Sequence, residues 1–302
     1  RLAATTSLMS RRDVLIVASV SCIYNLGSPG EYQERLLFLE RGQALDRDEA
    51  VRQLIDIQYE RNDYDFARGR VRVRGDVVEI FPAYRQDALR VEFFGDEIER
   101  ITQIDPVTAE EKAVLDRVAV YPAKHFLVSP PRVEAALAEI EAEMTERVAW
   151  LRQAGKLVEA QRLQSRTRFD MEMLREMGYC HGIENYSRSL SGRPPGSRPF
   201  CLLDYFPEDY LLVVDESHVT MPQLRGMYEG DRARKKTLVD FGFRLPSCLD
   251  NRPLRLEEFM QIIGPRVYVS ATPGPFEIED SQGVMVEQVI RPTGIVDPPI
   301  HV

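Results

Sequence analysis

The stretch that decides the fold is YLLVVDESH at residues 210–218, a short apolar run that leads directly into two carboxylates, a hydroxyl and an imidazole. A second run, at 266–269, leads in the same way into Ser-Ala-Thr at 270–272, and a third apolar run, DVLIVASV, occupies 13–20. Short runs of this kind are typical of strands buried on both faces of a parallel sheet. We therefore predict an α/β domain built from both ends of the chain, with polar groups gathered at the carboxyl edge of its sheet.

The adjacent carboxylates Asp215 and Glu216 are the candidate catalytic residues. Two acids at the end of a buried strand need a cation or hydrogen-bond donors, and Mg²⁺ with a nucleotide phosphate is a frequent partner. We expect Asp215 to hold the metal through water and Glu216, on the other side of the strand, to activate an attacking water. An acidic turn that caps the next helix explains the same four residues, 215–218, equally well.

The hydroxyls of Ser270 and Thr272, on either side of Ala271, are short side chains that could sense the state of a phosphate and pass it to a neighbouring domain. No GxxxxGK[ST] occurs in the 302 residues, so the chain as given carries half of an ATP site. Either the phosphate cradle lies upstream of Arg1 or the acidic pair is structural. Because the chain opens without Met and without an apolar leader, we interpret it as part of a longer protein without a secretion signal.

The hydrophobic period changes to two between Tyr64 and Ile104, with Gly-Asp pairs at 75–76 and 95–96. This pattern predicts an antiparallel meander inside an inserted α+β domain. The period of two places Arg70, Arg72 and Arg74 on one face of the sheet. Arg90 and Glu92 are candidates to lie opposite them on a neighbouring strand. Such a face is either a solvated surface, which the residues alone favour, or a charged surface on which a partner docks.

Helical patterns flank the meander. After the Gly-Ser-Pro-Gly at 27–30 we predict a helical stretch that includes Leu36, Leu37 and Leu39. Residues 131–177 have apolar side chains at three- and four-residue steps, which indicates an amphipathic helix that Gly155 bends or interrupts.

The net charge of −9 means that nucleic acid could bind only at local basic patches. One candidate is GMYEGDRARKK at 226–236, which includes Arg232 and Arg234 and could position a phosphodiester backbone, although an exposed helix face is an equal alternative. The other is GIENYSR at 182–188, where Tyr186 and Arg188 could form a stacking platform for an unpaired base.

Composition narrows the class of protein. The chain is 44% hydrophobic and 29% charged, as expected for a globular protein, and no apolar run approaches the roughly 18 residues of a membrane span. The four cysteines form no CxxC pair, so we do not expect a zinc site. We expect them to be reduced thiols in a cytoplasmic protein.

Nearly the whole chain resembles the UvrB family of bacterial nucleotide excision repair. The residues that carry the resemblance are LVVDESHVTMPQLRGMYEGDRARKKTLVDFGFRLPSCLDN at 212–251, VASVSCIYNLGSP at 17–29, RVRGDVVEIFP at 72–82, RVEFFGDEIERI at 90–101, GIENYSR at 182–188 and YVSATPGPFE at 268–277. These motifs are long and free of gaps.

The resemblance implies a superfamily-2 helicase-type P-loop core, a parallel sheet with flanking helices, that carries an inserted α+β domain for docking on UvrA. The implied domains are core residues 1–30, the insertion at 31–130, a helical subdomain near DNA at 131–200 and the rest of the core at 201–302. Relative to the family, the phosphate loop, the aromatic hairpin and the second helicase domain are missing. We therefore expect the chain alone neither to hydrolyse ATP nor to hold damaged DNA productively.

The resemblance also implies roles for residues. Asp215 and Glu216 match the metal-holding and water-activating acids, and the remaining motif positions that couple nucleotide state to movement are Ser217, His218, Ser270, Ala271 and Thr272. The implied UvrA-docking residues are Arg61, Arg72, Arg74, Arg90 and Glu92, which changes the interpretation of the arginine row to a docking surface. The implied residues near DNA are Tyr186, Arg188, Arg232 and Arg234.

The implied cofactors are ATP and Mg²⁺, and the implied partners are UvrA, damaged DNA and a UvrC-type nuclease that binds through regions outside this chain. Two alternatives remain. One is the transcription-repair coupling translocase, whose degenerate core is not expected to keep the Asp215–His218 motif. The other is a non-enzymatic adaptor that works through the arginine row alone.

Overall fold

The computed structural model describes residues 1–125 and 130–289. The end of the predicted 201–302 domain, from 290 onward, and the segment just before the predicted boundary at 130 lie outside the described residues. The helices are α1 (Leu2–Ser10), α2 (Pro29–Glu34), α3 (Arg47–Asp56), α4 (Pro130–Gln153), α5 (Leu157–Met177), α6 (Ser187–Ser191), α7 (Ser217–Asp240), α8 (Leu256–Ile262) and α9 (Pro275–Asp280). The strands are β1 (Leu37–Glu40), β2 (Glu60–Arg61), β3 (Arg70–Arg74), β4 (Val77–Phe81), β5 (Ala88–Phe94), β6 (Glu97–Ile104), β7 (Glu111–Leu115), β8 (Arg117–Val120), β9 (Leu212–Val214) and β10 (Arg266–Tyr268).

The meander predicted from the period of two is confirmed. Strands β2 to β7 form one sheet in chain order, and β3 to β7 are antiparallel neighbours. Gly75 and Gly95 stand at the two tight turns with φ of +61° and +60°, a region that glycine enters without steric cost. One face of the sheet, including Val71 and Ile101, packs on α3 and on the antiparallel β1–β8 pair to form a core.

The helix predicted through Leu36 to Leu39 is wrong. Helix α2 ends at Glu34, and the following Leu-Phe-Leu-Glu is strand β1, in which Leu37 and Leu39 are buried while Phe38 and Glu40 are exposed. Alternation over four residues was masked by the helical pattern that follows in α3.

The interruption predicted at Gly155 is confirmed. Helices α4 and α5 pack against each other, and the chain turns between them with Gly155 at φ +75°. Their apolar stripes form a second core that includes Leu137, Ile140 and Leu163, and this core closes on α6.

The parallel sheet is smaller than the sequence indicates. Strands β9 and β10 pair in parallel over three residues each. The run at 13–20 forms no strand and ends where a 3₁₀ turn begins at Val20, and Leu15 and Val17 are 89% and 93% exposed. The prediction of a third strand there is wrong: β9 and β10 each have one open edge within the described residues, but the run at 13–20 pairs with neither. Val213 and Val267 are also exposed, and Val214 is the one buried residue of the two strands, so β9 and β10 are not buried on both faces.

Among the helices of residues 1–125 and 130–289, none combines the length and the apolar character that a membrane crossing requires.

Candidate functional site

The acidic motif and the Ser-Ala-Thr motif lie side by side. Strands β9 and β10 are in register from Leu212 and Arg266 onward, and the ladder continues past them. The Val269 N–H donates to the Val214 carbonyl at 2.9 Å, and the Ser217 N–H donates to the Val269 carbonyl at 3.0 Å. Both motifs therefore leave the same edge of a parallel pair, which is the arrangement that the two apolar runs predict.

A hydrogen bond joins the two motifs. Ser270 Oγ lies 2.7 Å from His218 Nδ1, and the Thr272 N–H donates to the same Oγ at 3.0 Å. Glu216 Oε2 lies 3.4 Å from His218 Nδ1. A displacement of either motif would thus change a side-chain contact of the other.

The two candidate catalytic acids lie on the surface. Asp215 and Glu216 are both exposed, so burial supplies no energetic requirement for a cation, and that part of the sequence argument is wrong. Asp215 Oδ1 accepts the Glu216 N–H at 3.0 Å, and no hydrogen bond from the described residues reaches Oδ2. Asp215 therefore has an oxygen, on an exposed side chain, that could hold a hydrated metal ion.

The helix-cap alternative receives no support from the contacts at Glu216. Helix α7 begins at Ser217 with Glu216 as its N-cap residue, and the Glu216 side chain makes no capping hydrogen bond. Its backbone is in the left-handed region at φ +45°, an unfavourable conformation for a residue with a Cβ atom. Strain of this kind is frequent at functional sites.

A buried carboxylate, Glu277 of α9, lies under this edge and was not identified from the sequence. It is 4% exposed, and a Cβ atom at Gly274 would lie 2.9 Å from its Oε2. Burial acts to raise the pKa of Glu277, but its own backbone N–H and the neighbouring Ser217 hydroxyl outweigh burial and lower the pKa. The sequence feature that could have identified Glu277 is Gly274, which lies three residues before it and shortly after Thr272.

Metal ligands do not cluster here. In the described part of the chain, no group of three or more His, Cys, Asp or Glu side chains is arranged to hold a metal ion.

The arginine row lies on the face of the six-stranded sheet that is turned away from α3. Here we name this surface the charged face, and its members are Arg70, Arg72, Arg74, Glu79, Arg90, Glu92 and Arg100. The register pairs Arg72 with Glu79 and Glu79 with Arg90, and it pairs Glu92 with Arg100. Strand β4 thus lies between β3, which carries the arginine row, and β5, which carries Arg90 and Glu92. These two residues are therefore two strands away from the row instead of on the adjacent strand.

Glu79 organises this face and was missed by sequence reasoning. Its carboxylate accepts hydrogen bonds from Arg72 Nε and from Arg90 Nε, the latter at 3.0 Å. Glu79 is 4% exposed, so burial acts to raise its pKa, but the two arginines outweigh burial and lower the pKa. The Arg72 guanidinium also lies over the Phe66 ring, 4.2 Å from its centroid. The sequence feature that could have identified Glu79 is its position in the alternating pattern of β4, which places it on the same face as the arginines.

The other two predicted docking arginines differ in position. Arg74 is exposed and, among the described residues, is in no ion pair. Arg61 lies on the edge strand β2 in register with Val71, so it starts from the opposite face, and it pairs with Asp63 at 3.1 Å. The structure therefore groups Arg72, Arg74 and Arg90 but sets Arg61 apart.

The predicted stacking platform has no free ring. Tyr186 is buried, its hydroxyl donates to Asp170 Oδ2 at 2.8 Å, and burial raises its pKa. Arg188 lies between Asp250 and Glu143, at 3.3 Å and 3.5 Å. Both side chains hold the helical region together, which leaves neither of them open to a nucleic-acid base in this structure.

The basic run of α7 is divided between core and surface. Lys235 is buried and pairs with Asp231 at 2.8 Å, and Arg234 pairs with the same carboxylate at 2.9 Å. Arg232 and Lys236 are exposed and lie outside any ion pair among the described residues. The run is therefore not a single patch of four free cations.

Comparison with known proteins agrees with this geometry. The family profile described as "UvrB interaction domain" matches residues 37–126, and the profile described as "UvrB third helical domain" matches 131–192. The chain is 62% identical over its whole length to UvrABC system protein B of Geobacillus kaustophilus, and 62% identical to the protein of that name from Gemmatimonas aurantiaca. The chain belongs to the UvrB family.

The chain covers 46% and 43% of these two UvrB relatives, so it spans less than half of their length. The match to the UvrB interaction domain contains strands β1 to β8 and with them the whole charged face. The match to the third helical domain contains α4 to α6. The acidic motif and the Ser-Ala-Thr motif lie outside both profiles but inside the stretch that is similar to the UvrB relatives.

Proposed function

We propose that this chain is the UvrA-docking and nucleotide-responsive part of a damage-verifying subunit in bacterial nucleotide excision repair. The observation that carries the proposal is the charged face, which lies within the segment that matches the UvrB interaction domain. The names of the relatives, UvrABC system protein B, support the same repair system.

UvrA is the proposed partner of the charged face. Arg72 and Arg90 are held at fixed positions by Glu79, and Arg74 projects beside them without an ion pair among the described residues. Cations fixed in this way lose little side-chain entropy when an acidic surface docks on them, and they speed its approach. Glu92, on the same face, would reject a partner with a misplaced carboxylate.

ATP and Mg²⁺ are the proposed cofactors of the acidic edge, as part of a superfamily-2 helicase-type core. The solvent-facing Asp215 Oδ2 fits a metal ion held through water, and Glu216 lies one residue away as the proposed general base. Bound Mg²⁺ would neutralise charge on the nucleotide phosphates. The Ser270–His218 hydrogen bond would relay a change at this edge into β10 and α9. Damaged DNA and a UvrC-type nuclease are the further proposed partners.

Binding to purified UvrA tests the docking proposal. Replacing Arg74 and Arg90 by alanine should weaken the association strongly, and the loss should shrink as salt is raised, because screening weakens the charge interactions. The control is Arg117→Ala on β8, an exposed arginine outside the charged face. Equal affinities for the double variant and the control would contradict the proposal.

A non-enzymatic adaptor is the second candidate, and one observation favours it. Both acids are exposed, so their presence can be explained without a nucleotide. The discriminating measurement is ATP turnover by a longer UvrB relative in which the glutamate equivalent to Glu216 is replaced by glutamine. Turnover that survives this change, with repair intact, would support the adaptor and contradict the ATPase.

A further inference from the structure

A cavity of about 380 Å³ lies between α7 and the start of α8. It is separate from the acidic edge and from the charged face. The residues that line it are Arg225, Tyr228, Glu229, Arg232, Arg255, Leu256 and Glu257. Cations, an aromatic ring and an apolar side chain thus meet in one concave surface.

The arginines of this cavity are available to a ligand. Within the described residues, Arg225 and Arg232 have no carboxylate at ion-pair distance. Arg255 also lacks a carboxylate partner there, and its guanidinium instead donates to the Tyr228 hydroxyl at 3.0 Å. They differ in this from Arg234 and Lys235 on the same helix, whose charges are used by Asp231.

The wall of the cavity is held rigidly. The guanidinium carbons of Arg255 and Arg252 lie 4.8 Å and 5.3 Å from the centroid of the Tyr228 ring. Arg252 is 3% exposed and is fixed by two hydrogen bonds to Glu258, at 2.6 Å and 2.7 Å. A ligand that meets Tyr228 and Arg255 therefore encounters groups that are already ordered, which lowers the entropy cost of binding.

Two exposed carboxylates, Glu229 and Glu257, share the cavity with the three arginines. The lining therefore has one net positive charge, which is too little to attract a polyanion by charge alone. It does match a ligand that combines one phosphate with a flat group carrying amino donors, since carboxylates accept hydrogen bonds from the exocyclic amines of bases.

We propose that this cavity binds single-stranded nucleic acid, with a phosphate on Arg225 and Arg232 and the adjoining base against Tyr228 and Arg255. Binding of single strands combines backbone contacts with stacking on aromatic and guanidinium groups, and all of these are present here. A duplex would present its phosphates without an accessible base face. The inference rests on the proposed contact with DNA and assigns it to a specific site.

The cavity shares a helix with the acidic edge. Ser217 opens α7 and Arg225 follows eight residues later, about 12 Å along the helix axis. A strand bound at Arg225 would therefore press on the helix that carries His218 and, through it, Ser270.

Fluorescence anisotropy with labelled dC12 and rC12, whose bases carry an exocyclic amine, tests the site, using the 302-residue chain. The variant is Arg225→Ala with Arg232→Ala, and the matched control is Arg117→Ala with Arg168→Ala, which removes the same charge from exposed positions elsewhere. Each contact with a single-strand phosphate contributes a salt slope of about −0.7, so two lost contacts should reduce the slope by about 1.4. At 0.1 M salt this corresponds to a loss of affinity of about 25-fold.

The site is supported if the pocket variant shows that loss and the control does not, and a stronger effect for dC12 or for rC12 identifies the nucleic acid. Equal losses in both variants, or none in either, overturn the site while leaving DNA binding elsewhere on the chain intact. No binding by the wild-type chain overturns the site together with the proposed DNA contact, whereas UvrA binding still tests the docking function separately. Thermal midpoints are compared first, and Arg225→Gln with Arg232→Gln replaces the alanine pair if that pair melts at a lower temperature.

Discussion

Replacing Glu79 by glutamine should destabilise the six-stranded sheet. The change keeps the shape of the side chain but removes the charge that Arg72 and Arg90 share. A hydrogen bond to a charged group contributes about 1.5–3 kcal/mol, and glutamine retains one acceptor oxygen, so about one such bond is lost. The side chains of Arg72 and Arg90 are 14% and 22% exposed and can recover some hydration. We expect the free energy of unfolding to fall by about 2 kcal/mol.

Urea denaturation at pH 7 measures this change, and Glu92→Gln is the matched control. Glu92 is on the same face and is in no ion pair within the described residues, so its substitution should change stability by about 0.5 kcal/mol or less. The affinity for UvrA should also fall in Glu79→Gln, because both guanidinium groups lose their fixed positions. Equal stabilities for the two variants would refute the reasoning about Glu79.

Three further predictions follow from particular contacts. The pKa of Glu79 in the folded chain is lowered from the ordinary value of 4.5. The ionised carboxylate should therefore contribute fully to stability above pH 4.5, and this contribution should be lost as the pH falls through the lower pKa of the folded state. Glu79→Gln should flatten this part of a curve of stability against pH. Gly242 has φ +68°, and a Cβ atom there would lie 2.3 Å from the Glu159 carbonyl oxygen. Gly242→Ala should therefore lower the free energy of unfolding by well over the roughly 1 kcal/mol expected for Gly196→Ala, where φ is +75° and nothing lies within 4 Å of the added Cβ atom. Urea denaturation midpoints compare the two variants. A phosphate-release assay should detect no ATP turnover by the 302-residue chain, and turnover at a normal rate would contradict our reading of its missing GxxxxGK[ST].

The meander could be predicted because its information is local. Alternating residues and two Gly-Asp turns define which side chains share a face, and this was enough to group Arg72 with Arg74. The role of Glu79 depends on which strand lies between β3 and β5, and on burial of a carboxylate that its sequence neighbours do not indicate. The local sequence pattern therefore predicts which side chains share a face of the sheet, whereas the contacts between them depend on which strands pair.

The apolar runs gave a less reliable result because their structure depends on distant partners. Residues 13–20 and 212–214 have similar composition, yet only the second run finds a parallel neighbour within the described residues. Tyr186 shows the same limit for a site residue. Its aromatic ring next to Asn185 suggested a surface platform, but the buried acceptor Asp170, sixteen residues earlier, holds its hydroxyl in the core.

The outward faces of β9 and β10 have a practical consequence for handling the purified chain. Val213 and Val267 lie next to each other on an exposed surface, and within residues 1–125 and 130–289 neither strand has a second hydrogen-bonded neighbour. Open strand edges beside apolar side chains favour sheet growth between molecules. Concentrated or warmed samples should therefore aggregate through this small sheet, while the six-stranded sheet and the paired helices keep their native secondary structure.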